Sequence, residues 1–394
     1  MKKKFSVIFI LLAFAFSITF LSSNSLRTKA FAEEIEKQIE TKSASCYLIE
    51  PNTNTVIYAK NENQKLQIAS MCKIMTLLLC FESLDNNEFT LGDTICVSEN
   101  AAGMGGSQVF LQANAEYSIG ELIKSIVVAS ANDACVAMAE KICGSEESFV
   151  NKMNEKANSL GMTNTVFANC TGLPKPNQHS TAKDVATMFC ELIKHHDYFK
   201  FSRIWTDKVA HPDDRFTEIS NTNKLIRFYQ GCDGGKTGYT SEAGHCLTAS
   251  AHRNGMRLVG VVIKAPDSKS RFKDVSDMFN YGFSNYVNKM VIDDKKPLDL
   301  PVNVLGGKKN NLEVVAEKPI FLFSKKGVER SVEIDFQPSS SVKAPVKKGD
   351  LVGEIIVYEK GIEISRVNVV ANEDILSKTF FDILCDIGEK WAIV

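Results

Sequence analysis

The chain has 394 residues, 24% of them charged and 44% hydrophobic, with 23 Gly and 10 Pro. That composition belongs to globular proteins and excludes collagen-like, low-complexity and disordered classes, and the length suffices for two or three domains. The formal charge is −1, yet residues 1–32 hold five basic side chains and no acidic one, so the remainder carries −6. A mildly acidic body has no electrostatic footprint for nucleic acid, which is excluded as a partner.

The first element is a targeting signal. Lys2, Lys3 and Lys4 precede an apolar run from Phe5 to Leu21, and Ala30-Phe31-Ala32 supplies an A-x-A cleavage site. The pattern predicts a signal peptide over 1–32 and an exported, extracytoplasmic protein at the outer face of the cytoplasmic membrane or in the cell wall. The alternative is an uncleaved anchor, because the run approaches spanning length. Later segments are too short or too charged to cross a bilayer.

Ser45–Glu50 and Val56–Ala59 alternate around the turn Pro51-Asn52-Thr53-Asn54 and predict a hairpin. Ser70 to Leu84 reads as a helix too hydrophobic for a surface. Ser118-Ile119-Gly120-Glu121 is a capping box opening a second helix. Ser145 and Gly161 bracket a third over Glu146–Leu160, and Thr181–Ile193 forms a fourth. His245–Ala251 and Met256–Ile263 are strands joined at Arg253-Asn254-Gly255. Strands at both ends with helices between predict an α+β domain over 33–286, an antiparallel sheet packed on a helical cluster.

Beyond it the pattern turns to short β runs: Leu298–Val304, Leu312–Ala316, Ile320–Phe323, Val328–Phe336, Leu351–Tyr358 and Ile362–Val370. They predict a small all-β sandwich over 287–372. The last segment, 373–394, is an amphipathic helix with Leu376, Phe380, Ile383, Leu384, Ile387 and Trp391 on one stripe and Asp382, Asp386 and Glu389 opposite. Its stripe can contact a membrane peripherally through 374–394 or pack on the β domain. Eleven cysteines, an odd number without a C-x-x-C pair or metal-like spacing, read as free thiols acting as small hydrophobes. No metal or cofactor is expected.

Three short motifs carry chemistry. Ser70-Met71-Cys72-Lys73 has the form S-x-x-K, which on a helix lets the lysine amine reach the serine hydroxyl. The spacing recurs at Ser180/Lys183, Ser270/Lys273 and Ser340/Lys343, but only the first lies in an apolar helix, where a lysine is costly without a role. Ser130-Ala131-Asn132 follows 60 residues later. By itself it also fits helix termination with recapping by Ser130, Asn132 and Asp133. Lys236-Thr237-Gly238 comes another 106 residues on, lacks the rest of a phosphate loop, and also fits a Gly-rich turn entering an edge strand. The ordered triple is rarer than its parts.

These motifs, with Gly105-Gly106-Ser107, Asn164-Thr165-x-Phe167, Thr171-Gly172-Leu173-Pro174, His179-Ser180-Thr181-Ala182-x-Asp184 and Tyr239-Thr240, resemble the D-alanyl-D-alanine carboxypeptidases, the low-molecular-mass penicillin-binding proteins. The resemblance covers about residues 40–285, and the β-rich tail is similar to that family's C-terminal domain. It implies a β-lactamase/DD-peptidase-like fold and cleavage of the last D-alanine from peptidoglycan pentapeptides through an acyl-enzyme on Ser70. β-Lactam antibiotics would bind covalently at the same serine. Lys73 would be the acylation base and Ser130 the proton relay. Asn132 would bind the substrate amide, Lys236 supply positive potential, and Thr237 and Gly238 take part in substrate binding, Thr237 at the terminal carboxylate. The N–H groups of Ser70 and Tyr239 would form the oxyanion hole. Arg271 matches a family arginine near the carboxylate end, or is a solvated helix residue. Cys72 departs from the threonine usual there.

Two other functions compete. A β-lactamase needs a glutamate-bearing loop to activate water, and residues 161–190 contain no glutamate. A non-catalytic wall-binding protein on the same fold would be marked by a lost motif residue, and every one is present. For the amphipathic tail the residues leave both readings open, and the resemblance implies the anchor, since these enzymes often end in one that keeps them beside the wall.

Overall fold

The computed structural model describes residues 39–339 and 341–385. The predicted signal peptide, Ile387 and Trp391 lie outside the described residues. The chain divides into two compact units between Ser284 and Asn285.

The first unit is α+β. Strands β1 (Ser45–Glu50) and β2 (Thr55–Lys60) form the predicted hairpin. A 3₁₀ turn over Ala69–Cys72 leads into the helix Lys73–Asp85, whose residues from Lys73 to Phe81 are all buried. Two ribbons follow in sequence: β3 (Thr94–Cys96) with β4 (Glu116–Ser118), and β5 (Thr206–Ala210) with β6 (Phe216–Ser220). Strands β7 (Cys232–Thr240), β8 (Gly244–Arg253) and β9 (Met256–Ala265) complete a five-stranded antiparallel sheet in the order β2-β1-β9-β8-β7. β7 is therefore an edge, and the backbone groups it does not spend on β8 face outward.

Local chemistry explains the helix starts. Ser118 Oγ accepts from the Glu121 N–H at 3.2 Å, while the Glu121 carboxylate turns to Lys124 at 2.7 Å. Ser145 caps the helix Glu146–Ser159 through the Ser148 N–H, and Gly161 follows at φ +71. The hairpin β5–β6 went unrecognised in the sequence because only Val209 and Ile219 of its ten strand residues are buried.

The second unit is all-β, like the expected tail. Strands β10 (Tyr286–Ile292) and β13 (Ile320–Lys325) pair, as do β11 (Val304–Leu305) and β15 (Val342–Lys343). A four-stranded sheet runs β12 (Val314–Ala316), β17 (Ile362–Ala371), β16 (Leu351–Glu359), β14 (Glu333–Pro338). Ile292, Val304, Val314, Ile320, Ile355 and Val369 bring the sheets onto one core. Of the predicted strand 298–304, only Leu298, by a bridge to Val314, Asn303, by a bridge to Asn311, and Val304, in β11, are paired. Ile375 is buried in that core and bridges to Val346, and helix occupies 380–385 of the described tail.

Candidate active site

Ser70 and Ser130 sit on or beside strained backbone. Ala69, just before Ser70, has φ +46, and Ser130 has φ +64, both in the left-handed region that costs residues with a Cβ free energy. Ser70 is the second residue of the 3₁₀ turn, and one turn later Lys73 enters the core of the unit with no exposed surface. Its Nζ lies 3.2 Å from Ser70 Oγ and 2.6 Å from both Asn132 Oδ1 and the Thr171 carbonyl oxygen.

Three consecutive carbonyls hold this helix in place. Cys72 Sγ donates to the Asn169 oxygen at 3.2 Å, Thr76 Oγ1 to that of Cys170 at 2.7 Å, and Lys73 Nζ to that of Thr171. The Cys72 thiol thus spends its proton on the backbone, and burial pushes its pKa up, away from reactivity. Gly172 lets the loop come this close: at φ +82, a Cβ there would stand 2.0 Å from the Ala69 oxygen.

Ser130-Ala131-Asn132 falls at the junction of two helices, Ile119–Val128 and Asn132–Cys143. Ala131 is the N-cap and offers no side chain, so the serine and asparagine are not caps. Instead Ser130 Oγ accepts from Lys236 Nζ at 2.7 Å. Asn132 accepts from Lys73 and donates its amide to the Gly105 oxygen at 2.7 Å. Asp133, fully buried, turns back to accept from the Val109 and Leu111 N–H groups at 3.1 Å each.

Lys236-Thr237-Gly238 lies within β7 and is not a turn. Lys236 is buried, and its Nζ also donates to the Thr237 oxygen at 3.1 Å. Thr237 Oγ1 donates to Thr222 Oγ1 at 2.8 Å. A Cβ on Gly238 would stand 2.6 Å from the Ile68 oxygen and 3.2 Å from the Ser70 nitrogen, so the glycine sets how closely β7 approaches Ser70. The exposed Tyr239 stacks on His245 with ring centroids 4.4 Å apart. Arg271 is not a solvated helix residue: its Nη1 donates to the oxygens of Gly238 at 3.1 Å and Cys246 at 3.3 Å, bracing β7 on β8.

Two buried ammonium groups face each other's field here. Burial lowers the pKa of Lys73. Burial, and then the charge of Lys73, hold Lys236 well below the usual lysine value. Two short bonds to acceptor oxygens use two N–H groups of Lys73. As a neutral amine it therefore turns its lone pair to Ser70, whose O–H then donates to it.

The two other S-x-x-K copies among the described residues form no such pair. Ser180 Oγ bonds Thr165 Oγ1 at 2.8 Å while Lys183 is exposed, and Ser270 Oγ donates to Asp267 at 2.8 Å while Lys273 pairs with Asp277. Ser340 lies outside the described residues. Sequence reading missed Thr171, Thr222 and Asp133 as parts of the site. The first acts through its carbonyl, which every residue has.

A serine hydroxyl against a buried amine, a second serine–lysine pair and an open strand edge define a serine–lysine acyl hydrolase on a DD-peptidase fold. The family profile for D-alanyl-D-alanine carboxypeptidase matches residues 31–267, and that for the penicillin-binding protein 5 C-terminal domain matches 287–377. D-alanyl-D-alanine carboxypeptidase DacF of Bacillus subtilis (strain 168) is 40% identical over 396 residues, covering 100% of this chain and 99% of its own. Penicillin binding protein 5 from Haemophilus influenzae superposes with a TM-score of 0.65 at 28% identity, over 86% of this chain and 98% of that one. A peptidoglycan synthesis regulatory factor (PBP3) from Streptococcus pneumoniae gives 0.72 at 26% identity, over 86% and 100%. The chain belongs to the D-alanyl-D-alanine carboxypeptidase family.

Proposed function

We propose that this protein is a serine D-Ala-D-Ala carboxypeptidase that removes the terminal D-alanine from peptidoglycan pentapeptides and is acylated by β-lactams. The observation that carries it is the fully buried Lys73 amine 3.2 Å from Ser70 Oγ. Ser70 Oγ attacks the carbonyl carbon between the last two D-alanines as Lys73 takes the hydroxyl proton. The N–H groups of Ser70 and Tyr239 hold the oxyanion. Ser130, bonded to Lys236, passes a proton to the leaving amine, the C–N bond breaks, and D-alanine departs from an acyl-serine ester that water then cleaves. Asn132 binds the substrate amide, Thr237 takes the terminal carboxylate, and Gly238 keeps the cleft narrow. Arg271 holds the Gly238 carbonyl and adds positive charge near that carboxylate.

Mass spectrometry tests this. Penicillin should add its mass to one peptide containing Ser70, and Ser70→Ala should lose both the adduct and D-alanine release. Label on another residue, or release that survives the substitution, refutes the assignment.

The same reading makes 1–32 a removed export signal, 33–286 the catalytic domain, 287–372 a β domain and 373–394 a peripheral membrane anchor. No helix among the described residues is long and apolar enough to cross a membrane. Exposure of Leu376, Phe380, Ile383 and Leu384 supports the anchor over packing on the β domain.

A further inference from the structure

Phe110 is strained and exposed beside the site, and the chemistry above does not use it. Its φ is +63, it is 55% exposed, and among the described non-glycine residues with left-handed backbone it is the one aromatic. Most of the others are Asn, which tolerates that region. A turn alone would be met better by Asn or Gly, so the phenyl ring is retained against the backbone's preference.

The conformation is imposed by groups belonging to the site. The Asp133 carboxylate clamps the N–H groups of Val109 and Leu111 on either side of Phe110, and Thr217 Oγ1 donates to the Val109 oxygen at 3.0 Å. Next to Asp133, Asn132 binds the same loop through Ser107 and Gly105, at 2.7 Å each, while accepting from Lys73.

We propose that Phe110 forms an apolar shelf for the aliphatic side chain of a stem-peptide residue upstream of D-Ala-D-Ala. This rests on the carboxypeptidase reading above. The loop from Gly105, bonded to Asn132, to Phe110 spans at most roughly 17 Å, so the ring can lie along the roughly 10 Å covered by the three residues upstream of D-Ala-D-Ala. A phenyl ring has no hydrogen-bonding group, so the portion it contacts is apolar, as a methylene chain is.

The test compares D-alanine release from a pentapeptide and from N-acetyl-D-Ala-D-Ala by the mature protein, wild type, Phe110→Gly and Phe110→Leu. Glycine suits the backbone, so Phe110→Gly should keep or raise the melting temperature. It should lower kcat/KM for the pentapeptide by about tenfold and leave the dipeptide unchanged. Phe110→Leu should recover most of the loss. Equal losses on both substrates make the ring a structural part of the loop and overturn the shelf, as does no loss on either. Failure of the wild type to release D-alanine overturns the underlying function and the shelf with it.

Discussion

The Lys73 amine donates to the Thr171 carbonyl oxygen at 2.6 Å, a bond between residues 98 positions apart. It joins the helix that follows Ser70 to a loop that contributes no side chain to the proposed chemistry. Together with the bond to Asn132, it orients the amine so that its remaining position faces Ser70. The loop therefore acts on the reaction through backbone oxygens alone.

That relationship makes Gly172 a sensitive position. Gly172→Ala places a methyl 2.0 Å from the Ala69 oxygen, so the loop must shift and Lys73 loses a partner. The control is Gly161→Ala, at φ +71 with open space around it, which should cost roughly 1–2 kcal/mol for the left-handed backbone alone. Gly172→Ala should cost more in urea titrations and slow penicillin acylation, whereas Gly161→Ala leaves acylation unchanged.

Lys73 and Lys236 differ in what they must do. A general base has to lose its proton, and arginine cannot do so near neutral pH. Lys73→Arg should lower the acylation rate about 10²–10⁴-fold. Lys236→Arg preserves the charge beside Ser130 and should retain more activity. Stopped-flow acylation that falls equally in both would contradict this division.

The pH dependence follows from the same pair. In the proposed mechanism acylation requires the neutral Lys73 amine, so its rate should rise with pH through the Lys73 pKa, which burial holds below the ordinary lysine value. The charge interaction that lowers Lys236 acts reciprocally on Lys73. Replacing Lys236 by Ala removes that positive neighbour, so the Lys73 pKa rises and the acidic limb of the kcat/KM profile moves to higher pH. A limb that stays put, or moves down, contradicts Lys73 as the titrating base.

For the C-terminal anchor, the place of truncation matters. Ile375 is buried in the β core, and Ser377 bridges to Gly307, so removing residues from 374 onward opens that core. Deletion from Thr379 onward spares both contacts. The shortened protein should leave anionic liposomes in a flotation assay while penicillin acylation and melting temperature stay near those of the longer chain. Equal flotation of both proteins places the membrane contact elsewhere.

Period and punctuation in the sequence were enough for the α+β class, the first hairpin, the central apolar helix and the change to short strands after 286. Those signals are local: alternation, helical spacing, Ser caps and Gly stops each act within a few residues. The three motifs were legible as well, because S-x-x-K depends on one helical turn and a lysine in an apolar run needs a reason. What remained open was decided at long range. Whether Lys236-Thr237-Gly238 was a turn or a strand depended on β8 pairing with it, and whether Ser130 and Asn132 capped a helix depended on lysines 106 and 59 residues away. The polar β5–β6 hairpin gave almost no apolar alternation to read. Thr171 and Gly172 act through a carbonyl oxygen and a missing Cβ, which are properties of backbone position and not of residue type. Such contacts exist only once the chain has closed, because the free energy that selects them comes from groups brought together by the whole fold.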